Sequence, residues 1–164
     1  MTDDEHRSTS ENSRVSRAGG GPEGVRAGPV SLALIGVAAA CLLAATVLPV
    51  LQVSVRGETV PALGRSGWEL HGPLFPILAA VAVACAVFAA RGRLAGAFAT
   101  AATGLVTLVL VIAGDGTDIG SNGLVPGSLA EGSASAGAGL YLSILAGILL
   151  LLTGGLLALR SYDG

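Results

Sequence analysis

Few side chains in this 164-residue chain have the makings of chemistry, and they gather in its polar joints. Ser66, within Gly64-Arg65-Ser66-Gly67, has His71 close by, a hydroxyl and an imidazole of the kind that pair as nucleophile and base. Asp115, Asp118 and Glu131 are oxygen donors that a hard cation such as calcium would favour. Cys41 and Cys85 fall inside apolar stretches with neither a CxxC spacing nor a histidine nearby. They read as small membrane-buried side chains rather than a disulfide or a metal pair.

Neither polar constellation survives a closer look. The Gly-x-Ser-Gly string is similar to the one around the nucleophile of rhomboid proteases. Those enzymes place the serine at a membrane-embedded helix start and the histidine on a later helix of a six-helix core. Here both residues fall in one loop. Asp118-Ile119-Gly120-Ser121-Asn122-Gly123 resembles the start of an EF-hand loop, but Gly120 replaces a ligand at the third position and Leu129 stands where the twelfth requires Glu. A flexible Gly/Ser loop is the reading that fits. No phosphate loop or dinucleotide fingerprint occurs elsewhere. The expectation is therefore a non-enzymatic chain with no catalytic residue, no cofactor and no metal site.

The elements that hold these residues are apolar and long. No charge occurs between Arg26 and Arg56, from Gly72 to Ala90, from Leu94 to Gly114 or from Gly132 to Leu159. Each stretch contains the roughly 20 residues that cross a hydrocarbon layer about 30 Å thick. Mean hydropathy is +0.74 and only 12% of residues are charged, against about a quarter in a soluble domain. Helices are expected over about 30–53, 73–90, 94–113 and 140–159, with Pro49 a kink or early stop near the end of the first. The second, diluted by alanine, is the marginal one. Residues 1–28 carry no apolar period and are read as a disordered cytoplasmic tail, with 161–164 a cytoplasmic C-terminus. A cleaved signal peptide fits less well, because the run from Val30 to Val53 is longer than a usual h-region and no A-x-A site ends it.

Arginines set the threading. All nine basic residues are Arg, a bias that points to a high-GC bacterium. With the N-terminus inside, the cytoplasmic side holds Arg7, Arg14, Arg17, Arg26, Arg91, Arg93 and Arg160, and the far side only Arg56 and Arg65. Both ends are thus expected in the cytoplasm of a multi-pass protein of the bacterial cell membrane. The formal charge of −2 gives no footprint for nucleic acid.

No ionisable group lies within the four expected spans, which argues against a pump, a proton-coupled transporter or a voltage sensor. Thr46, Thr100, Thr103, Thr107, Ser143 and Thr153 are the hydroxyls at depth, and each can bond its own helix. Small-residue stripes at which helices meet are Gly36, Ala40 and Ala44 in the first segment and Ala82, Ala86 and Ala90 in the second. Gly96, Thr100 and Gly104 form one in the third, and Gly139, Ser143 and Gly147 in the fourth. In the first outer joint, Gln52 to Val60 alternates around Arg56-Gly57 as a β-hairpin does. Trp68, the only tryptophan, follows; it reads first as an interfacial anchor, and second, with Glu69 and His71, as a partner contact.

The layout, with Gly67-Trp68-Glu69 in the first outer loop, the Arg91-Gly92-Arg93 turn and a last helix opening Gly137-Ala138-Gly139-Leu140-Tyr141-Leu142, resembles small four-helix membrane proteins of high-GC bacteria. It is similar in plan, over about Val30 to Arg160, to the tryptophan-biosynthesis-associated membrane proteins. Such families have no established activity, so the resemblance implies an architecture and assigns no residue a role. The expected fold is an all-α membrane protein, a bundle of four transmembrane helices with a small extracytoplasmic loop cap. Its expected partners are the lipid bilayer and another membrane protein or itself. The expected role is that of an accessory component of a membrane complex; the alternative is a small uncoupled channel or exporter formed by oligomerisation.

Overall fold

The computed structural model describes residues 27–124 and 131–160. The tail expected at the N-terminus lies outside these residues up to position 26, and so do 161–164. Helix α1, Pro29–Val47, opens on a proline whose fixed φ suits a first turn. It ends sooner than the expected Val53. Leu48 precedes Pro49, whose ring disfavours helical backbone in the residue before it, and Leu48 is extended at φ −82°, ψ 151°. Residues 49–53 therefore belong to a strand.

That strand, β1 (Pro49–Val55), turns into β2 (Glu58–Ser66) through Arg56 at φ 54° and Gly57 at φ 85°. Two successive left-handed residues make the tight turn that matches strand twist, so the expected hairpin forms around the expected pair. A one-turn helix α2, Gly67–His71, follows. Next come α3 (Leu74–Ala90), the Arg91-Gly92-Arg93 turn with Gly92 at φ 71°, and α4 (Leu94–Leu110). Beyond Leu110 the chain widens into a π-turn, Val111–Asp115, so helical structure continues past the expected end at Ala113. The Gly/Ser region expected to be a flexible loop instead holds two strands, β3 (Asn122–Leu124) and β4 (Glu131–Ala136). Helix α5, Ala138–Arg160, closes the described chain.

One antiparallel sheet joins the two polar joints in the order β2-β1-β4-β3. Its central ladder pairs Leu51 with Ala136 and Val55 with Gly132. The cap is thus a sheet shared by both joints, not a loop from each. Polar Gln52 and Ser54 pair with Ser135 and Ser133 on one face, while Leu51, Val53 and Val55 lie on the other.

The protein is mostly helical, and α1, the α4–π-turn run Leu94–Asp115 and α5 are long and apolar enough to cross a membrane. Helix α3 is shorter, at 17 residues. Helices α1 and α4 each pack against both α3 and α5. At one end Ala89, Ala97, Leu157 and Ala158 meet with Ala27 against them; at the other, Phe75, Val111 and Leu140 join Val50 and Leu51 of the sheet in the main core.

The small-residue stripes divide into two kinds. Gly96, Thr100, Gly104, Ser143 and Gly147 are buried. A Cβ at Gly104 would collide with the backbone of Gly147, Leu150 and Leu151, and one at Gly96 with that of Phe88 and Ala89. The α4–α5 and α3–α4 contacts therefore bring backbones together as small residues permit. In α1, Gly36 and Ala40 face outward and Ala44 is half-buried, and a Cβ at Gly36 would touch nothing within 4 Å. Helix α1 packs instead through Ile35, Ala38, Ala39, Leu42 and Ala45. The register misleads because the inward face of α1 mixes large and small residues.

Candidate functional site at the base of the cap

Ser66 starts the site. Its backbone is extended and its hydroxyl accepts from the Glu69 N–H, while the Ser66 N–H donates to Glu69 Oε2 at 2.8 Å. This reciprocal pair is a capping box, and it satisfies donors that a helix start would leave bare. Gly67 must be glycine, since a Cβ there would strike the Ala45 carbonyl and the Phe75 ring. Helix α2 is consequently pinned against the ends of α1 and α3 before any functional side chain is placed.

Four residues on, His71 turns inward. Its Nε2 lies 3.0 Å from both Oδ1 and Oδ2 of Asp115. Its ring is tilted by 47° against Phe75 at a centroid distance of 4.9 Å. The His71 side chain is 14% exposed and that of Asp115 5%. Gly72, at φ +56°, ends α2 and lets the chain swing into α3. The carboxylate arrives from the other side on the π-turn, whose extra residue rotates Asp115 inward past an otherwise apolar helix end. With its acceptor on Nε2, the imidazole holds its other nitrogen, Nδ1, away from the carboxylate.

The expected contact trio is therefore split by its surroundings. Glu69 is committed to capping α2, His71 is tied to Asp115, and Trp68 alone stands out, 55% exposed. Ser66 and His71 each have another partner, so the loop pair singled out for nucleophilic chemistry is engaged elsewhere. Asp115, set among three oxygen donors in the calcium reading, is instead occupied by an imidazole, and among the described residues no group of three or more His, Cys, Asp or Glu gathers. Sequence reasoning missed Asp115 as a buried group because the apolar run ends at Gly114 and the acid then looks like the first residue of a loop.

Deeper in the helices the hydroxyls turn back on their own backbone. Thr46 donates to the Leu42 carbonyl, Thr100 to Gly96, Thr103 to Ala99, Thr107 to Thr103 and Ser143 to Gly139, at 2.8–3.1 Å. Each of these bonds spans one helical turn, and the Thr103 hydroxyl in addition meets the Cys85 thiol across the α3–α4 contact. Cys41 and Cys85 are free thiols. The arrangement can hold a proton at one imidazole–carboxylate pair and present one aromatic side chain; among the described residues it aligns no nucleophile with a base. Compared with family models, curated proteins and solved structures, the chain matches none.

Proposed function

We propose that the chain is a multi-pass component of a bacterial cytoplasmic membrane. In this reading it has four membrane helices and both ends in the cytoplasm, performs no chemistry of its own, and docks a partner protein through its outer cap. Helix α3 supports a fourth crossing. Its 17 residues extend about 26 Å, close to the hydrocarbon thickness, and it is packed between α1 and α4 and bound to α4 by a three-residue turn. Arginine placement supports the threading. Arg91, Arg93 and Arg160 stand at the end away from the sheet, whereas Arg56 and Arg65 are on it.

The observation that carries the docking role is Trp68. A large aromatic is held more than half exposed on a helix fixed by the capping box, by Gly67 and by the His71 tie. A rigid, amphipathic ring of this kind suits the centre of an interface. A photocrosslinking residue at position 68, activated in cells, is expected to give a discrete adduct with one other membrane protein, lost on adding Gly67→Val to unseat α2. Adducts with lipid alone would overturn the docking role and leave Trp68 as an interfacial anchor.

The outward Gly36–Ala40 stripe favours a second reading, self-association into a channel or exporter. Self-adducts from a crosslinker at position 40, together with ion flux through liposomes containing the purified protein, would establish that reading in place of the first.

A further inference from the structure

We propose that the end of the bundle opposite the sheet is a docking surface for an anionic glycerophospholipid, whose phosphate sits on Arg91 and Arg93. The inference rests on the reading of these helices as membrane spans with that end in the cytoplasm. Charge is divided unevenly along the described residues. Glu58, Glu69, Asp115, Asp118 and Glu131 all lie on or beside the sheet, against Arg56 and Arg65, so five negative and two positive charges leave −3 there with histidine counted as neutral. The other end holds Arg91, Arg93 and Arg160, hence +3. Among the described residues no carboxylate pairs with any of these three, and the acids stand a helix length away. An uncompensated cationic end at headgroup level is the complement of an anionic leaflet.

The arginines are placed by fixed structure. Ala89, Ala97, Leu157 and Ala158 meet at this end, and Arg91 and Arg160 each follow two residues after a member of that cluster. The turn between α3 and α4 is held by Gly92 at φ 71° and by the N–H groups of Arg91, Gly92 and Arg93, all bonded to carbonyls in the last turn of α3. The guanidinium carbon of Arg93 lies 5.6 Å from the centroid of the Phe88 ring, and Phe88 is exposed on the outer surface of α3. A guanidinium laid on a ring face keeps its N–H edges free, and that fork matches a phosphate with two parallel bonds. Leu94 and Phe98, one turn apart, are exposed on one face of α4 and offer apolar surface for an acyl chain close to that head. Threading requires only the charge. The stacked Arg93 and the apolar face beside it fit the two halves of a single phospholipid, which a free phosphate lacks. Beyond the described residues, Glu23 and Asp163 are the nearest acids in sequence to this end and Arg26 the nearest base, so the full chain is the form to use.

The full-length protein, purified in a neutral detergent, is titrated with phosphatidylglycerol or with phosphatidylcholine, and bound lipid is counted by native mass spectrometry. Phosphatidylglycerol is expected to bind more tightly, by about fivefold for each arginine engaged. Arg91→Gln combined with Arg93→Gln is expected to weaken its binding by roughly 25-fold, towards the level of phosphatidylcholine. Arg56→Gln combined with Arg65→Gln, on the sheet, is expected to leave it unchanged. Equal binding of the two lipids, or a preference that survives the loss of Arg91 and Arg93, overturns the proposal. Soluble glycerol phosphate that binds as tightly as the lipid overturns the choice of occupant. Should the Arg91 and Arg93 variant not fold, high salt applied to the parent takes its place: the preference is expected to vanish, and its persistence overturns the proposal. An inverted orientation in the membrane would appear elsewhere, as immediate outside labelling of a cysteine at position 92, with these affinities unchanged.

Discussion

Gly104→Ala tests whether backbone contact between α4 and α5 holds the helices together. The added methyl carbon would lie 2.6 Å from the Gly147 carbonyl oxygen and 3.0 Å from the Leu150 carbonyl carbon, where ordinary contact begins near 3.4 Å. Both neighbours are backbone, so no side-chain rotation makes room. The Leu151 backbone nitrogen is nearer still, so helix α5 must retreat by at least about 0.8 Å (3.4 minus 2.6), and a gap of about that size forfeits a quarter to a half of each atomic contact across the seam. At about 0.1–0.2 kcal/mol per contact over a few tens of contacts, the loss comes to about 1–3 kcal/mol, the usual range for overpacking. Gly36→Ala is the control. Its methyl would meet nothing within 4 Å, and both substitutions gain the same helix propensity of up to about 1 kcal/mol. The difference between the variants, read by unfolding in mild detergent against increasing dodecyl sulfate, isolates the packing term. Equal stability of Gly104→Ala and Gly36→Ala would refute the close approach.

Ser66→Ala removes the hydroxyl that accepts from the Glu69 N–H and is expected to cost about 1 kcal/mol, seen as faster hydrogen exchange through residues 67–71 with little change elsewhere. Gly57→Ala forces a side chain into a left-handed turn at φ 85° and is expected to weaken the β1–β2 ladder by about 1–2 kcal/mol, measured as lost exchange protection at Val53 and Val60. Thr100→Val deletes a buried hydroxyl that serves only the Gly96 carbonyl of its own helix, so stability in detergent is expected to stay within about 0.5 kcal/mol of the parent. A loss of several kcal/mol there would mean that the hydroxyl bonds across the bundle.

Much of this architecture was legible in the sequence, because bilayer length and the absence of charge are coarse, strong signals. The Arg56-Gly57 turn was equally plain, since its alternating flanks admit few other structures. Helix ends were harder. Hydropathy counted Pro49 to Val53 as membrane span because valine and leucine are as apolar in a strand as in a helix; the steric effect of Pro49 on Leu48 decides the matter. The β1–β4 ladder was hidden because Glu131 to Ala136 is glycine, serine and alanine with little strand propensity, and pairing with β1 supplies the order. The His71–Asp115 tie left a trace that went unread. Helices α3 and α4 are both 17 residues long and joined by a short turn, so the segment leading into α3 and the segment leaving α4 end at the same end of the pair. What hid it was the π-turn, which carries Asp115 inward at a point where the apolar pattern had already stopped.

Sidedness is the claim on which the remaining conclusions depend, and single-cysteine labelling tests it directly. With Cys41 and Cys85 replaced by alanine, one cysteine is placed at Gly57 in the hairpin turn or at Gly92 between α3 and α4. A membrane-impermeant maleimide is then applied to cells whose outer barrier, but not inner membrane, has been opened. The cysteine at position 57 is expected to label at once, and the one at position 92 only after detergent is added. Immediate labelling at 92, or protection at 57, would contradict a cap that faces outward from a bilayer crossed by these helices.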